Sequence, residues 1–341
     1  MSDRPRLRIR PAQIAVGVVA LAVFLAIPLA TGQFQTFQFA QVAVFVIALI
    51  GLNILTGYSG QISLGQGAFM AVGGYTTALL EHNAGVPWAA TIPIAGVLAG
   101  VVGFLFGIPA LRLRGIYLAL ATFALALAVT PVLNNYDRFT GGHVGITLPP
   151  VTPPLGIELS NEQWLYFMNW FIVLILFLPS LWLVRTRTGR AWTAIRDSET
   201  AAVANGINVA YYKTLAFGIS AFYAGIAGAL QVVTVAYANP DNYALTLSLQ
   251  LLLGVVIGGL GFAWGPVFGG IVVVWVPYLA ERAAGVHIGP VSFGGKPDII
   301  FGLALVVILL FASSGIAGLV QRSVSRLQRG SPEPARKGAV E

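Results

Sequence analysis

The sequence contains no cysteine, only three histidines and few charged residues. The lack of cysteine excludes disulfide frameworks, thiolate metal sites and cysteine nucleophiles, and it leaves the redox compartment of the protein open. Charged residues make up 9% of the 341 residues, whereas hydrophobic residues make up 57%. A water-soluble core cannot bury so much apolar surface, so the composition predicts a protein that lipid solvates.

The residues that catalysis would need are also missing. The histidines at 82, 143 and 287 have no metal-ligand spacing, so we expect no catalytic residue and no metal site. The segment from Gly57 to Gln61 resembles a nucleophile elbow but ends in Gln where a second Gly is required. None of the three lysines follows a Gly-x-x-x-x-Gly loop, so the chain is expected to bind no nucleotide or other cofactor itself.

Apolar runs long enough to cross a bilayer, roughly 17 to 25 residues each, occur about ten times. They cover residues 12–31, 37–56, 62–80, 89–111, 115–134, 164–184, 214–237, 246–262, 265–281 and 298–319. This pattern predicts an all-α polytopic membrane protein. No charged residue or histidine lies in the middle of a run, which argues against a proton-coupled carrier. Sodium coupling through backbone carbonyl groups stays open.

The basic residues give the expected orientation, since Lys and Arg concentrate in cytoplasmic loops. With the N-terminus inside, 16 of the 19 basic residues fall on the cytoplasmic face. We therefore expect a bacterial inner-membrane protein with both termini cytoplasmic: a basic N-terminus at 1–11, a transmembrane domain at 12–320 and a disordered tail at 321–341. The first run is also compatible with a cleaved signal peptide.

Two loops are long enough to have functions of their own. Residues 135–163 form a loop on the outer face, and residues 185–213 form a charged loop on the inner face. The net charge is +7, but the basic residues lie at the ends of the apolar runs and do not form a surface patch interleaved with aromatic residues. We therefore expect membrane lipid, and no nucleic acid, as a partner.

The inner loop predicts a helix from Arg190 to about Asn205, ended by Gly206. One face of this helix repeats at spacings of three or four residues: Trp192, Ile195, Glu199 and Ala202. A short helix of this kind is suited to a groove in a partner protein. An ordinary amphipathic linker is the alternative interpretation.

Glycine-rich segments interrupt two apolar regions, at 56–67 and 258–266. Irregular backbone cannot face lipid, so it must be packed in protein or line a watery cavity. The first segment and its flanks offer uncharged polar groups for a substrate path: Asn53, Tyr58, Ser59, Gln61, Ser63 and Gln66. The alternative is that these residues only cap and pack broken helices. The two segments together suggest a duplicated fold.

The inner loop resembles the cytoplasmic coupling loop of ABC import permeases, and more narrowly that of the branched-chain amino acid permease family. The residues that carry the resemblance are Gly189-Arg190, Ala194-Ile195-Arg196, Glu199 with Ala201-Ala202, Gly206-Ile207-Asn208 and Tyr212-Lys213. Thr200 occupies the acidic position of the family pattern, and Glu199 stands one residue earlier. Similar stretches occur at 51–69, at 111–117 with 140–142, and at 258–261 with 265–266.

The resemblance implies an M-type permease that pairs with an H-type permease and translocates branched-chain amino acids. Two ABC ATPase subunits, which hydrolyse ATP with Mg²⁺, would grip the coupling loop, and a periplasmic or lipid-anchored binding protein would dock near 135–163 and 241–243. The residues implied in ATPase coupling are Gly189, Arg190, Trp192, Ile195, Arg196, Glu199, Ala201, Ala202, Gly206 and Ile207. The alternatives are a self-powered carrier or channel for solutes such as urea or amides and, more remotely, a membrane enzyme.

Overall fold

The computed structural model describes residues 22, 24–113, 115–154, 158–284, 315, 317 and 318. The long helices are α1 (Gln33–Leu52), α2 (Gln66–Ala84), α3 (Trp88–Ala110), α4 (Ile116–Asn135), α6 (Asn161–Arg185), α9 (Val209–Val235), α10 (Leu245–Gly258) and α11 (Gly265–Ala284). The short helices are α5 (Asp137–Thr140), α7 (Arg187–Asp197) and α8 (Glu199–Ala204). A π-helix at Asn53–Tyr58 extends α1, and residues 24–30 are also helical.

Six helices in the described part of the chain are long and apolar enough to cross a membrane, so the chain is a multi-pass membrane protein. Helices lie at each predicted run between 37 and 281. The predicted run at 62–80 is helical only from Gln66, because residues 60–65 form irregular backbone. The runs at 12–31 and 298–319 lie largely outside the described residues, as do 1–11 and 321–341, so the count of ten remains a prediction.

Burial separates the central helices from the peripheral ones. In α1 with its π-helix, and in α9, 83% of the most apolar stretch is buried inside the chain, whereas in α4 only 17% is buried. The exposed faces of α4 and α6 are apolar, with Leu127 and Leu174 about half exposed. These faces therefore contact lipid or another membrane subunit.

A row of glycines brings α3 against α9. Gly96, Gly100, Gly103 and Gly107 all face α9, and a Cβ atom at Gly103 would lie 2.2 Å from the Cβ of Ala221. Small residues permit this approach, which in a membrane replaces the hydrophobic driving force with van der Waals packing. The Gly-x-x-x-Gly spacings of α3 therefore mark the face that packs closely against α9.

The outer loop folds against the segment that follows α9. Strands β1 (Ile146–Thr147) and β2 (Tyr237–Ala238) pair antiparallel, and the Tyr237 hydroxyl group donates a hydrogen bond to the Val144 carbonyl oxygen over 2.7 Å. Two 3₁₀ turns, Gly142–Val144 and Pro240–Tyr243, flank this pair. The two outer segments singled out from the sequence thus form one surface.

Candidate functional site

The inner loop consists of two helices and not of one. Ser198, between α7 and α8, has extended backbone with φ of −164° and ψ of 114°. Its hydroxyl oxygen accepts a hydrogen bond from the Ala201 amide over 3.2 Å, as an N-cap residue does. The predicted continuous helix from Arg190 to Asn205 is therefore wrong, because the serine side chain starts a new helix at the position where the first one ends.

The predicted end of this helical region is confirmed. Gly206 has φ of +77°. Its amide donates to the Val203 carbonyl group and the Ile207 amide donates to the Ala202 carbonyl group, over 2.9 and 3.0 Å. These are the two hydrogen bonds of a Schellman motif, which places glycine in the left-handed conformation after the last helical turn.

The predicted apolar stripe of the loop packs inward. Trp192 is fully buried, and its indole nitrogen donates a hydrogen bond to the Tyr212 carbonyl oxygen over 2.8 Å. Ile195 and Ala202 are also buried. Gly189 lies so close to α6 that a Cβ atom would meet the Val184 carbonyl oxygen at 2.1 Å. The stripe thus fixes the loop to its own bundle.

A different set of residues is exposed on the loop. Of the implied coupling residues, Arg190, Arg196, Ala201 and Gly206 are exposed, and Glu199 and Ile207 are half-buried. A cleft of about 630 Å³ opens between α7, α8 and the start of α9. Its lining combines Arg187 and Arg190 with Ala201, Ile207 and Tyr212. The loop therefore offers a partner a concave surface rather than a projecting ridge.

An ion pair joins α8 to α9. The Lys213 ammonium group contacts the Glu199 carboxylate, with 9% of the lysine side chain and 38% of the glutamate side chain exposed. A lysine buried to this degree requires a partner, because desolvation of an unpaired charge is costly. Glu199 stands one residue before the acidic position of the family pattern, and the ion pair with Lys213 gives it a structural role at that position.

The two glycine-rich segments meet each other. Asn53, in the π-helix, accepts a hydrogen bond from the Gly261 amide over 2.8 Å and donates one to the Phe262 carbonyl oxygen over 2.9 Å. A Cβ atom at Gly57 would lie 2.4 Å from the Gly261 nitrogen. The absence of side chains at both glycines lets the two backbones touch.

The inner loop reaches this junction through Arg196. One guanidinium nitrogen of Arg196 donates a hydrogen bond to the Gly57 carbonyl oxygen over 2.8 Å. Gly60 has φ of +73°, and a Cβ atom there would lie 2.7 Å from the Arg196 Cγ atom. The carbonyl groups of a last helical turn lack helical partners, so a cation satisfies them and complements the helix dipole.

The other residues of the predicted substrate path are enclosed by protein. Gln61 donates to the Ser59 hydroxyl oxygen over 2.6 Å, and Ser63 accepts from the Gly65 amide over 3.3 Å. Gln66 donates to the Ala48 carbonyl oxygen and accepts from the Ser220 hydroxyl group. Tyr58 is half-buried and lines a small gap beside Asn53. In this conformation the residues hold the irregular backbone together.

Two hydroxyl groups that the sequence analysis missed complete this packing. The Thr122 hydroxyl oxygen accepts from the Leu64 amide over 2.9 Å, and the Ser248 hydroxyl oxygen accepts from the Gly67 amide over 3.0 Å. Each satisfies a backbone donor of the broken segment, which lipid cannot do. Isolated hydroxyl residues within apolar runs are the signal that could have found them.

Comparison with known proteins identifies the family. Residues 36–314 match the model of the branched-chain amino acid transport system / permease component family. The chain belongs to this family. The match includes the inner loop, the glycine junction and the outer surface, so every part of the candidate site lies within the matched residues. No solved structure matches the chain.

Three curated relatives illustrate the range of the permease family. The high-affinity branched-chain amino acid transport system permease protein LivM of Escherichia coli K12 is 36% identical over 68% of this chain and 60% of its own. A probable LivM of Methanocaldococcus jannaschii is 26% identical over 80% of this chain and 90% of its own. The ribose import permease protein RbsC of Escherichia coli K12 is 26% identical, over 66% of this chain and 68% of its own. The chain thus spans three fifths of the length of the first relative.

Proposed function

We propose that this chain is the M-type permease subunit of an ATP-driven importer of branched-chain or related amino acids. The observation that supports this most directly is the family match over residues 36–314, together with the 36% identity to a branched-chain amino acid permease. The chain performs no bond-making step in this proposal. Its contribution is a bundle that alternates between outward-open and inward-open packings.

The inner loop is the point at which two ABC ATPase subunits act in this proposal. The cleft between α7 and α8 receives a partner group, and the buried face of α7 ties the cleft to the bundle through Trp192. Closure of the ATPases on ATP and Mg²⁺ then moves α7 and α8 as one unit. Arg187, Arg190 and Asp197 line the cleft, and this excess of positive charge favours an acidic or carbonyl-bearing group on the partner.

The membrane setting and the remaining partners follow from the same proposal. The chain lies in the bacterial inner membrane with both termini cytoplasmic, and it pairs with an H-type permease through one of its exposed apolar faces. A substrate-binding protein docks on the outer surface formed by β1, β2 and the Pro240–Tyr243 turn.

The substrate path follows the polar residues around the irregular segment after α1. Asn53, Tyr58, Ser59, Gln61, Ser63 and Gln66 exchange their present partners for the cargo when the inner side opens. Uncharged hydrogen-bonding groups suit transient contact with a zwitterion, because a permease that is fed by a binding protein has to release its cargo readily.

Reconstitution tests the proposal. The chain is placed in liposomes with an H-type permease, two ATPase subunits and a substrate-binding protein, and uptake of radiolabelled leucine is measured. We expect uptake only when ATP, Mg²⁺ and the binding protein are present. A Walker-motif lysine variant of the ATPase serves as the control, since it keeps the assembly and removes hydrolysis.

Competition by unlabelled solutes then defines the cargo, with isoleucine and valine compared against urea and simple amides. Uptake by the chain alone, without ATP, would show a self-powered carrier or channel and would contradict the proposal. ATP-driven uptake that only urea or amides compete for would keep the transporter class and correct the substrate.

A further inference from the structure

Three hydrogen bonds converge at the inner end of α1. Arg196 holds the Gly57 carbonyl group, and Asn53 holds both the amide of Gly261 and the carbonyl group of Phe262. The three segments involved are far apart in sequence: the π-helix after α1, the loop helix α7 and the turn between α10 and α11. Their side chains and backbones form one hydrogen-bonded junction.

On the side of the inner loop, the junction covers the polar side chains that directly follow the π-helix, whereas Gly60 and Ile62 of the same segment are exposed. Ser59 and Gln61, directly after the π-helix, are 2% and 6% exposed. Arg196 lies over Gly60, where its aliphatic stem occupies the space that a Cβ atom would need. An arginine in this position covers the turn with its stem while its charged end binds the carbonyl group beyond it.

We propose that Arg196 and Asn53 lock the inner gate of the permease. Asn53 joins the two glycine-rich turns, and Arg196 fixes this joined unit to α7. The inference rests on the proposed function, because the force that opens the lock acts on α7 and α8. Withdrawal of α7 removes Arg196 from Gly57, the π-helix loses its terminal partner, and the two turns separate around Ser59.

In this proposal, the π-helix is the element that changes conformation when the gate opens. Its hydrogen bonds span five residues or more, as in the bond from the Ser59 amide to the Ile54 carbonyl oxygen and the bond from the Gln61 amide to the Leu55 carbonyl oxygen. π-Helical turns are uncommon and occur largely at functional sites. The Arg196 contact is a charge-assisted hydrogen bond, which is stronger than a neutral one. Its loss leaves the end of the π-helix without a charge-assisted partner.

The complete lack of cysteine allows a direct measurement of the lock. A Ser59→Cys variant of the full-length chain, in inverted membrane vesicles, carries one thiol, next to the Gly60 turn that Arg196 covers. Its reaction rate with a membrane-impermeant maleimide reports opening from the cytoplasmic side. We expect slow labelling with Arg196 in place and roughly tenfold faster labelling after Arg196→Gln, since a hydrogen bond to a charged group contributes about that factor or more. Asn53→Leu, which breaks the other half of the junction, should give the same increase.

Three controls separate the lock from simple unfolding. Asp197→Asn removes the exposed ion pair between Arg196 and Asp197 and leaves the bond to Gly57, so labelling should not change. Arg196→Lys keeps a donor and a charge and should restore much of the protection. A thiol at the exposed position 203 should react equally fast in all variants and serves to normalise the amount of folded protein.

The result that overturns the proposal is equal labelling at position 59 in the parent, Arg196→Gln and Asn53→Leu variants. If Arg196→Gln does not accumulate in the membrane, Arg196→Lys and Asn53→Leu carry the same test. Labelling requires neither ATP nor cargo. Uptake is therefore measured with the parent chain and labelling with the variants. A lock that opens in the variants while the parent chain shows no ATP-driven uptake contradicts the proposed function alone, and ATP-driven uptake by the parent chain with unchanged labelling in the variants contradicts the lock alone.

Discussion

Lys213 illustrates how a single charged side chain constrains the inner loop. Its side chain is 9% exposed at the start of α9, and the Glu199 carboxylate is its partner. Glu199 is the residue that begins α8. The ion pair therefore holds α8 to the membrane bundle. Because the lysine side chain is buried, water cannot replace Glu199 as the partner of its ammonium group.

Loss of one partner should be more harmful than loss of both. Glu199→Gln leaves the buried ammonium group without its counter-charge, and we expect a loss of roughly 1 to 3 kcal/mol in the local stability of α8. The double variant Glu199→Gln with Lys213→Met removes the unpaired charge and should recover part of this loss. Hydrogen exchange of the α8 amides in detergent measures both effects.

Asp197→Asn is the matched control for this comparison. Its partner, Arg196, is 40% exposed and Asp197 is 67% exposed, and such surface pairs contribute about 0 to 1 kcal/mol. Exchange of the α8 amides should hardly change. A loss in this variant equal to that in Glu199→Gln would mean that net charge, and not the buried pair, stabilises the loop.

The partners of these residues mark a boundary of what sequence can predict. The inner loop and its glycine end were predicted from polarity and from Asn205-Gly206. The contact of Arg196 was not, because its acceptor is a backbone carbonyl group 139 residues away. A carbonyl group has no residue identity, so no sequence pattern marks it as the partner of a particular arginine.

At the scale of secondary structure, the inner loop depends on two helix ends. Ser198 starts α8 and Gly206 ends it, and the cleft lies between α7 and this short helix. The periodicity of Trp192, Ile195 and Ala202 continued across Ser198, and this led to the wrong prediction of one helix. The Ser-Glu pair at 198–199 is an N-cap signal that competes with periodicity and wins, since the serine hydroxyl group binds an amide that the first helix would otherwise use.

Substitution of Gly206 should disturb the end of α8 without any clash. No atom lies within 4 Å of a Cβ built at this position, so the whole effect comes from φ of +77°. Gly206→Val forces a β-branched residue into the left-handed region, at a cost of roughly 1 to 3 kcal/mol. We expect ATP hydrolysis to continue in the reconstituted transporter while uptake per ATP falls several-fold.

Gly206→Asn is the graded control, because asparagine tolerates the left-handed conformation better than valine does. Its loss of coupling should lie between those of the parent and the valine variant. The ratio of leucine uptake to phosphate release gives the measurement. The same ratio in all three proteins would contradict a role for this helix end in coupling.

Helix packing in the bundle gives a second prediction at this scale. A Cβ atom at Gly228 of α9 would lie 1.9 Å from the Met70 carbonyl oxygen of α2, whereas one at Gly218 would lie 3.2 Å from its nearest neighbour, the Cβ of Phe104. Both changes to alanine remove the same glycine penalty within one helix. Gly228→Ala should therefore lower the unfolding temperature in detergent by several degrees, and Gly218→Ala should leave it nearly unchanged or raise it. Equal shifts would show that the close approach of α2 and α9 is not required.

At the scale of the whole molecule, the arrangement of the helices reflects where polar and apolar groups lie relative to the bilayer. Helices α1 and α9 are largely buried at the centre, Thr122 of α4 and Ser248 of α10 turn their hydroxyl groups inward to the broken segment, and the outward faces of α3, α4 and α6 are apolar. This arrangement was predictable in outline from composition and run length. The central position of α1 was not, because its mean hydropathy of 2.2 equals that of α3, α4 and α6, and only packing distinguishes it from them.

The orientation of the bundle gives the last prediction, since α6 lies between the outer and inner loops. Val144 in the outer loop is 81% exposed, and Val203 in the inner loop is 62% exposed. If α6 crosses the membrane once, the two positions lie on opposite faces, whatever the total number of spans. The arginines at 185, 187, 190 and 196 predict that position 203 is cytoplasmic.

Single-thiol labelling measures this orientation without interference, because the chain has no cysteine of its own. In spheroplasts, an impermeant maleimide should label Val144→Cys and not Val203→Cys, and in inverted vesicles the result should reverse. Permeabilised membranes should label both variants and so report their expression. Labelling of position 203 from outside would place the cleft, Arg196 and the glycine junction on the face that ATP does not reach. That result would contradict both the coupling role of the loop and the inner lock.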